Sequence, residues 1–474
     1  MRVLQLNTFY GKVGGAEIYM HNVVDALREA GHEVGVFAFS PDEAIDEPNV
    51  RVVQRPEFTA ANLVRDEAVS SALREFVARF DPDLIHCHNL SAYAADLALV
   101  LRSFGKPMMQ TVHDFSILCP NSWCVRPDGV VCEGGPGEKC FQHDCQKNYP
   151  YDGRVVTASN LRYRYVPGTF QAFLSPSQFL ADKLTEHGFE NSECLPLWVD
   201  LEGIPEEALT GEPERDEDHV LFLGRLVPEK GVAYLVEAMP HLLKKRPGAK
   251  LSVVGGGPQL EELKAQAEKL GLGDAIVFHG RVPHEEVQRF FSTATLQVLP
   301  SIWCENSPVT IYESFISGLP MVASRIAGLP AMVREGETGL LAEPRNAVDL
   351  ADKIATMLGD KELRQELSRG CRASLDRYSK AKHMKRLLEV YDEVLARAAE
   401  SEPAAVPDGA LDLLAGLDSF YKENSKLEKW AGDMKGHIDY LESTGAAGKP
   451  VQRFGKHLYF MAKSRVRQWR EKRG

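Results

Sequence analysis

Two carboxylates eight positions apart, Glu305 and Glu313, stand in the stretch TLQVLPSIWCENSPVTIYESFISGLPMVAS between Thr295 and Ser324. Leu296 to Leu299 reads as a short apolar strand, Ser307 and Pro308 as an N-cap and first helical position, and Gly318 with Pro320 as the stop. Glu305 then lies in a strand-to-helix loop and Glu313 on the second helical turn. A helix N-terminus offers unpaired N–H groups and a partial positive charge to a phosphate. Carboxylates beside it accept hydrogen bonds from hydroxyls. A ligand carrying both phosphate and hydroxyls, such as a nucleotide sugar, suits the pair.

Two cations have a matching setting. Val220 to Leu223 reads as a strand, and GRLVPEKG follows it, with Arg225 at the strand end and Lys230 before a helix opened by Gly231. Arginine presents a planar fork to phosphate oxygens and lysine a compact charge, so together they can offset a diphosphate. Near the start of the chain, GKVGGAE is not the G-x-G-x-x-G of dinucleotide folds, which argues against an NAD site. Gly14 and Gly15 would instead let backbone approach a ligand at a helix N-terminus. Two further strands end in polar residues: Asp83 to His88, and Pro107 to Val112 followed by His113 and Asp114. Side chains at the carboxyl ends of parallel strands face the ligand crevice. His86 and His88 read as ordinary surface or satisfied core histidines.

The elements that must hold these groups alternate between short apolar runs and amphipathic helices, the pattern of parallel sheets with helices on both faces. Residues 1–200 form one such unit, with Ile18, Val23, Val24 and Leu27 as the inward face of its first helix. An acidic, nonperiodic linker spans 201–218, and a second unit covers 219–400. Residues 401–474 are an extension: a proline-bearing linker, an amphipathic helix, and a tail that mixes Phe454, Tyr459, Phe460 and Trp469 with Lys and Arg. Basic and aromatic residues together suit an anionic membrane surface.

At 474 residues the chain exceeds one ordinary core, and its net charge of −12 argues against a nucleic-acid binder. No run approaches a membrane span, and Asn7 and Lys12 break the apolar N-terminus unlike a signal peptide, so a cytoplasmic protein is expected. Five of nine cysteines fall between Cys119 and Cys145, in an insertion without helical or strand period. In a reducing compartment such clustering points to metal before disulfide. Cys119, Cys132, Cys140 and Cys145 are the expected ligands of a structural zinc, with Cys124 or His143 as substitutes; a reduced, metal-free loop on the acceptor side is the other reading.

From about residue 2 to about residue 395 the chain resembles the retaining glycosyltransferases of family four. The likeness rests on E-x7-E at Glu305 and Glu313, G-R-x-x-x-x-K-G at Arg225 and Lys230, the strand-end His113, and a cysteine-bearing loop (CPN…DG…CE…C) found in some members. It implies two doubly wound Rossmann-like domains facing across a cleft (GT-B), the first binding acceptor and the second the donor. It also implies transfer of a sugar from a nucleoside diphosphate sugar (UDP or GDP) to an acceptor hydroxyl with retention. In that scheme Glu313 binds ribose and Glu305 a donor sugar hydroxyl. The main-chain N–H groups of Asn306, Ser307 and Val309 surround that hydroxyl. Arg225, Lys230 and the helix start at Pro308 stabilise the leaving diphosphate, His113 lies beside the donor sugar, and Gly14 and Gly15 face the cleft. Arg281 and Val282, after another strand, hold the base through main-chain groups. The leaving phosphate itself takes the acceptor proton. Two cations and a helix terminus already meet the developing charge, so no catalytic metal is expected. Surface-polysaccharide or lipid-linked glycan precursors are the expected acceptors, by analogy. A phosphorylase on the same fold, a nucleotide-sugar-binding module without turnover and a zinc-stapled assembly protein are the alternatives.

Overall fold

The structure, a computed structural model, describes residues 1–11, 14–55, 64–90, 93–143, 145, 153–199, 215–401, 405–406, 414 and 419. Eight strands make the first sheet: β1 (Arg2–Phe9), β2 (Glu33–Ser40), β3 (Ile45–Glu47), β4 (Val50–Gln54), β5 (Leu84–Cys87), β6 (Met108–Thr111), β7 (Ala172–Ser175) and β8 (Ser192–Cys194). Their order is β3-β4-β2-β1-β5-β6-β7-β8, with only the β3–β4 pair antiparallel. The second sheet is parallel: β9 (His219–Leu223), β10 (Lys250–Val254), β11 (Ile276–Gly280), β12 (Leu296–Leu299), β13 (Met321–Ser324) and β14 (Gly339–Ala342), in the order β11-β10-β9-β12-β13-β14. Buried runs such as Val3, Leu4 and Leu6 or Val220, Leu221 and Phe222 follow from helices covering both faces. Two α/β domains of the expected doubly wound kind result.

The strand order reverses between β1 and β5 in the first sheet and between β9 and β12 in the second. The loops leaving such neighbours run to opposite faces and open a crevice at their carboxyl ends. Gly14 follows β1, Asn89 follows β5, Arg225 follows β9 and Glu305 follows β12. The topology alone therefore brings them to the two crevices.

Helix α1 (Gly15–Glu29) buries Tyr19, Met20, Val23, Val24 and Leu27. Ile18, expected inward, is 45% exposed. It lies two residues from Met20, about 200° around the helix, and so stands on the opposite side. Helix α2 (Gln178–Glu186) is capped by Ser177, whose hydroxyl accepts from Leu180 N at 3.2 Å. Helix α3 (Val232–Lys245) follows Gly231.

Helix α4 (Val309–Ile316) starts one residue later than expected, with Pro308 in extended conformation as its N-cap. Ser307 does not cap it. Its hydroxyl pairs instead with the buried Tyr312 Oη at 2.7 Å, which would otherwise lack a partner.

The long helix α5 (Lys380–Glu400), read as the end of the unit 219–400, packs on the first domain. Leu387, Val390, Tyr391 and Val394 pack in one cluster with Val3, Met20, Val23, Leu27 and Val34 of the first domain. Arg386 adds two bonds to Glu193 of β8, at 2.9 and 2.7 Å. The chain thus crosses twice between domains, and Val199 pairs with Ser379 where the crossings meet. Of the extension, Leu414 is buried against Val64 and Leu99; the amphipathic helix and basic aromatic tail otherwise lie outside the described residues.

Candidate active site

The second domain supplies a buried ion pair. Gly231 has φ +68°, and a Cβ there would lie 2.0 Å from Pro300 O, so only glycine lets the chain turn from Lys230 into α3 against the end of β12. That approach places Lys230 Nζ 2.6 Å from Glu305 Oε1, with side chains 14% and 5% exposed. Ser301 Oγ donates to the same oxygen at 2.6 Å, and the ammonium lies 5.5 Å from the centroid of the Trp303 ring. A carboxylate this deep requires a cation beside it. Glu305 Oε1 is taken by Lys230 and Ser301, which leaves Oε2 for a hydroxyl. Arg225 differs: it is 68% exposed and 3.9 Å from Glu229, so its fork is open to a ligand.

The N-termini of α1 and α4 face each other. A Cβ on Gly15 would lie 3.9 Å from Val309 Cγ2. Between them a cavity is lined by Gly15, Glu17, Asn89, His113, Asp114, Ser307 and Val309. Gly14 is extended at φ −154°, so its constraint is space: a Cβ would lie 2.8 Å from Glu17 Oε2. Glu17 accepts from Asn7 Nδ2 at 3.4 Å, and burial raises its carboxyl above the usual range. His113 is neutral, because burial pushes its imidazole down to about 3. Its Nε2 lies 3.2 Å from His88 Nδ1, and its backbone carbonyl accepts from Asn306 Nδ2 at 2.8 Å. Asn306 also accepts from Ser177 Oγ. One asparagine of the second domain thus fastens the Glu305 loop to two strand ends of the first.

Glu313, one helical turn beyond Val309, lines a mostly apolar slot with Ile18, Tyr19, Trp198, Tyr312 and Ile316. The structure therefore gathers Gly15, His113, Ser307, Val309 and Glu313 along one cleft, with Gly14 against Glu17 at its edge and the Glu305–Asn306 loop, paired with Lys230, behind it. Arg281 and Val282 stand apart, after the edge strand β11, and line neither cavity. A Cβ on Gly256 would lie 3.4 Å from Arg281 Cγ, and Val282 packs against a cluster that includes Phe290 and Phe291.

Residues 13–202 match the family model described as Glycosyltransferase Family 4, and residues 207–374 the one described as Glycosyl transferases group 1. The chain belongs to this glycosyltransferase family. It is 24% identical over 393 residues to a sulfoquinovosyl transferase of Arabidopsis thaliana, covering 78% of this chain and 68% of that one. To the GDP-mannose-dependent alpha-(1-6)-phosphatidylinositol monomannoside mannosyltransferase of Mycolicibacterium smegmatis it is 26% identical over 376 residues, 76% of this chain and 88% of the relative. Among solved structures, sucrose-phosphate synthase of Thermosynechococcus elongatus superposes with a TM-score of 0.62 at 21% identity, over 84% of this chain and 100% of that one. HepE of Anabaena in complex with UDP superposes with a TM-score of 0.60 at 19% identity, over 83% and 100%. These two likenesses establish the GT-B fold.

In this glycosyltransferase the cysteine-bearing insertion is docked on the second domain. Cys304 N donates to Trp123 O at 3.1 Å, and Cys304 Sγ lies 3.5 Å from Cys124 O. A Cβ on Gly129, at φ +88°, would collide with the Arg345 guanidinium. Among the described residues no group of three or more His, Cys, Asp or Glu is arranged to hold a metal, and Cys119, Cys132, Cys140 and Cys145 are all described. The four nevertheless lie within electrostatic reach of one another: burial first, and then Cys140, Cys119 and Cys132, raise the Cys145 thiol to about 11. Cys119 Sγ donates to Asn121 Oδ1 at 2.8 Å, and Cys132 Sγ accepts from Gly134 N at 3.5 Å. A hydrogen bond with Cys124 brings the Cys119 thiol down to about 7.

Ser301, Trp303, Asn89 and Gln5 escaped the sequence reading, whereas His86 and His88, read as surface or satisfied core histidines, are buried and hydrogen-bonded. The last three did leave a signal. A polar side chain inside an otherwise apolar strand must find a partner, and three of them on adjacent strands at a switch point mark a network.

Among the described residues no helix is long and apolar enough to cross a membrane.

Proposed function

We propose that this glycosyltransferase moves a sugar from a nucleoside diphosphate sugar, of UDP or GDP type, to an acceptor hydroxyl with retention of configuration and without a catalytic metal. The observation that carries this is the Lys230–Glu305 pair, 2.6 Å apart, behind a cleft where two helix N-termini meet at Gly15 and Val309. The names of similar proteins agree in kind: HepE is described in complex with UDP and with UDP-glucose, and the mycobacterial mannosyltransferase as GDP-mannose-dependent.

Lys230, the open guanidinium of Arg225 and the N–H groups at the start of α4 would meet the charge that grows on the leaving diphosphate. Fixed charges and dipoles of this kind act without reorganising during the reaction, which is the term that usually dominates. Glu305 Oε2 would accept from a donor sugar hydroxyl, the N–H groups of Asn306, Ser307 and Val309 would surround it, and Glu313 would take the ribose hydroxyls. No side chain is assigned as nucleophile, and the leaving phosphate would accept the acceptor's proton. The acceptor class is a surface-polysaccharide or lipid-linked glycan precursor, met at an anionic membrane face through the C-terminal tail.

The test is thermal stability with UDP, GDP, ADP and their sugars, in wild type and Glu313→Ala, with and without a chelator. A ligand at about 100 times its Kd adds about 2.7 kcal/mol. Stabilisation of wild type by one nucleotide, lost in the variant and indifferent to chelator, supports the donor site; turnover followed by NMR at the anomeric carbon then reads retention. Binding without turnover supports the binding module, a requirement for inorganic phosphate the phosphorylase. Zinc content without nucleotide affinity supports the assembly protein, and the zinc staple itself is a proposal that metal analysis decides.

A further inference from the structure

We propose that the insertion between Cys119 and Cys145 is a strut that completes the donor side of the cleft. Trp123 and Cys124 of the first domain are positioning residues for Glu305 of the second, and that carboxylate is set for a ligand only while the strut is docked.

Glu305 is held from two domains. Its own domain holds the side chain, through Lys230 and Ser301, and the carbonyl, which accepts from Gly328 N at 3.2 Å. The first domain holds the residues on either side. Cys304 N donates to Trp123 O at 3.1 Å and Cys304 Sγ to Cys124 O at 3.5 Å. Asn306 Nδ2 donates to His113 O at 2.8 Å, and Asn306 Oδ1 accepts from Ser177 Oγ. Cys304 and Asn306 are buried, so a slight parting of the domains would leave their polar groups with neither partner nor water, at about 1–3 kcal/mol each. A wide parting would wet them. The contact therefore makes and breaks as a unit.

The insertion can hold the loop because its other end is fixed. His187 Nε2 donates to Glu133 O at 2.6 Å, Asn160 Nδ2 to Pro136 O at 2.6 Å, and Gly135 N to Leu118 O at 2.9 Å, all within the first domain. Between the ends the chain doubles back, with Cys132 N donating to Cys124 O at 2.7 Å and Arg126 N to Val130 O at 2.8 Å. Gly129, at the tip, lies against the Arg345 guanidinium of the second domain. Cys124 and Val125 share one buried cluster with Leu299, Cys304, Ile311 and Phe315 of that domain. Two free thiols thus sit under the contact, Cys124 at 2% and Cys304 at 1% exposure. Cys87 and Cys371, each inside one domain, are references for ordinary burial.

The docking stands on this geometry, whereas the positioning of Glu305 for a donor rests on the transferase reading. The experiment is pulsed alkylation of the full-length protein by iodoacetamide, located by peptide mass spectrometry, without ligand and with UDP or GDP. Without ligand, Cys124 and Cys304 are expected to react about tenfold faster than Cys87 and Cys371, and a bound nucleotide to slow both. Arg345→Ala removes the group against the tip and lines neither cavity. It is expected to speed Cys124 and Cys304 by one common factor, about threefold or more, with Cys87, Cys371 and the melting temperature unchanged. A ligand that needs the docked state is weakened by the fraction docked, so the donor KM should rise by a similar factor while kcat, read at saturation, stays within about twofold. Different factors for the two thiols, or both as slow as the references in wild type and variant, overturn the strut. Faster alkylation with an unchanged donor KM overturns the positioning role. If neither nucleotide changes the rates and the wild type shows no turnover, the transferase reading fails, and the alkylation factors of the two proteins still decide the strut.

Discussion

Lys230 Nζ and Glu305 Oε1 are 2.6 Å apart, joined across 75 residues by the approach of α3 to the end of β12. Neither charge has bulk water to fall back on. Their pairing holds the Glu305 loop in shape, and the same loop reaches over to the first domain through Asn306.

Lys230→Met should therefore cost more than a surface pair would. Leaving the Glu305 carboxylate buried without its cation is expected to destabilise the protein by about 3–5 kcal/mol, read by urea unfolding. Combining Lys230→Met with Glu305→Gln should recover most of that loss without recovering turnover. A double variant as unstable as the single one would show that the loop does not depend on the pair.

Gly231 carries a second constraint on the same approach. Gly231→Ala combines a left-handed φ of +68° with a Cβ 2.0 Å from Pro300 O, and backbone cannot swing aside as a long side chain would. A loss of about 2–3 kcal/mol or more is expected, together with weaker nucleotide binding as Lys230 moves. Gly271→Ala, also at positive φ but with nothing within 4 Å, serves as the comparison and should cost only the dihedral strain.

Stability should fall with mild acid. His86 and His113 are held at about 3, His383 at about 4, and His88 well below its ordinary value, all by burial. Their folded values lie below the unfolded one, so the unfolded chain takes up protons first. The stabilisation is present above about pH 6.5 and lost as pH falls toward the folded values. Between pH 7 and 5.5 each contributes a loss of about 1.2 kcal/mol. Asp96, raised by burial to about 7, acts the other way, as does Glu17: a raised carboxyl stabilises at acid pH and loses that contribution as pH rises. A net fall of about 2–3 kcal/mol is expected in denaturant titrations at the two pH values. A flat profile would mean that the histidines are not buried neutral.

The returning helix should matter to the first domain. Leu387 is fully buried among Val3, Met20 and Val24, and Leu387→Ala is expected to cost about 2–5 kcal/mol. Limited proteolysis should then release the helix and cut first within the residue 1–199 domain. Cleavage confined to residues 219–374 would contradict the packing.

Much of the site could be read before any coordinates. Alternating apolar runs and helices specify parallel sheets, and the residues just past strand ends are the ones such sheets carry to a crevice. That reasoning placed Gly14, Gly15, His113, Arg225, Lys230, Glu305 and Glu313 from spacing, chemistry and family likeness. Such a reading is possible because strand, turn and helix starts are local, set by periodicity and by Gly and Pro over a few residues. What lay beyond reach was partnership. Periodicity shows that residues 380–400 have an apolar face but not that the face covers the first sheet. Ser307 has the composition of a cap, and only the nearness of Tyr312 diverts it. Clustered cysteines in a sequence do not say which thiols the fold sets beside one another, as it does Cys145 with Cys140, Cys119 and Cys132. Gln5 and Tyr391 bond across 386 residues, a meeting that no local pattern announces. A hydrogen bond's sense is decided by which lone pair stands opposite, and only the folded chain chooses that neighbour.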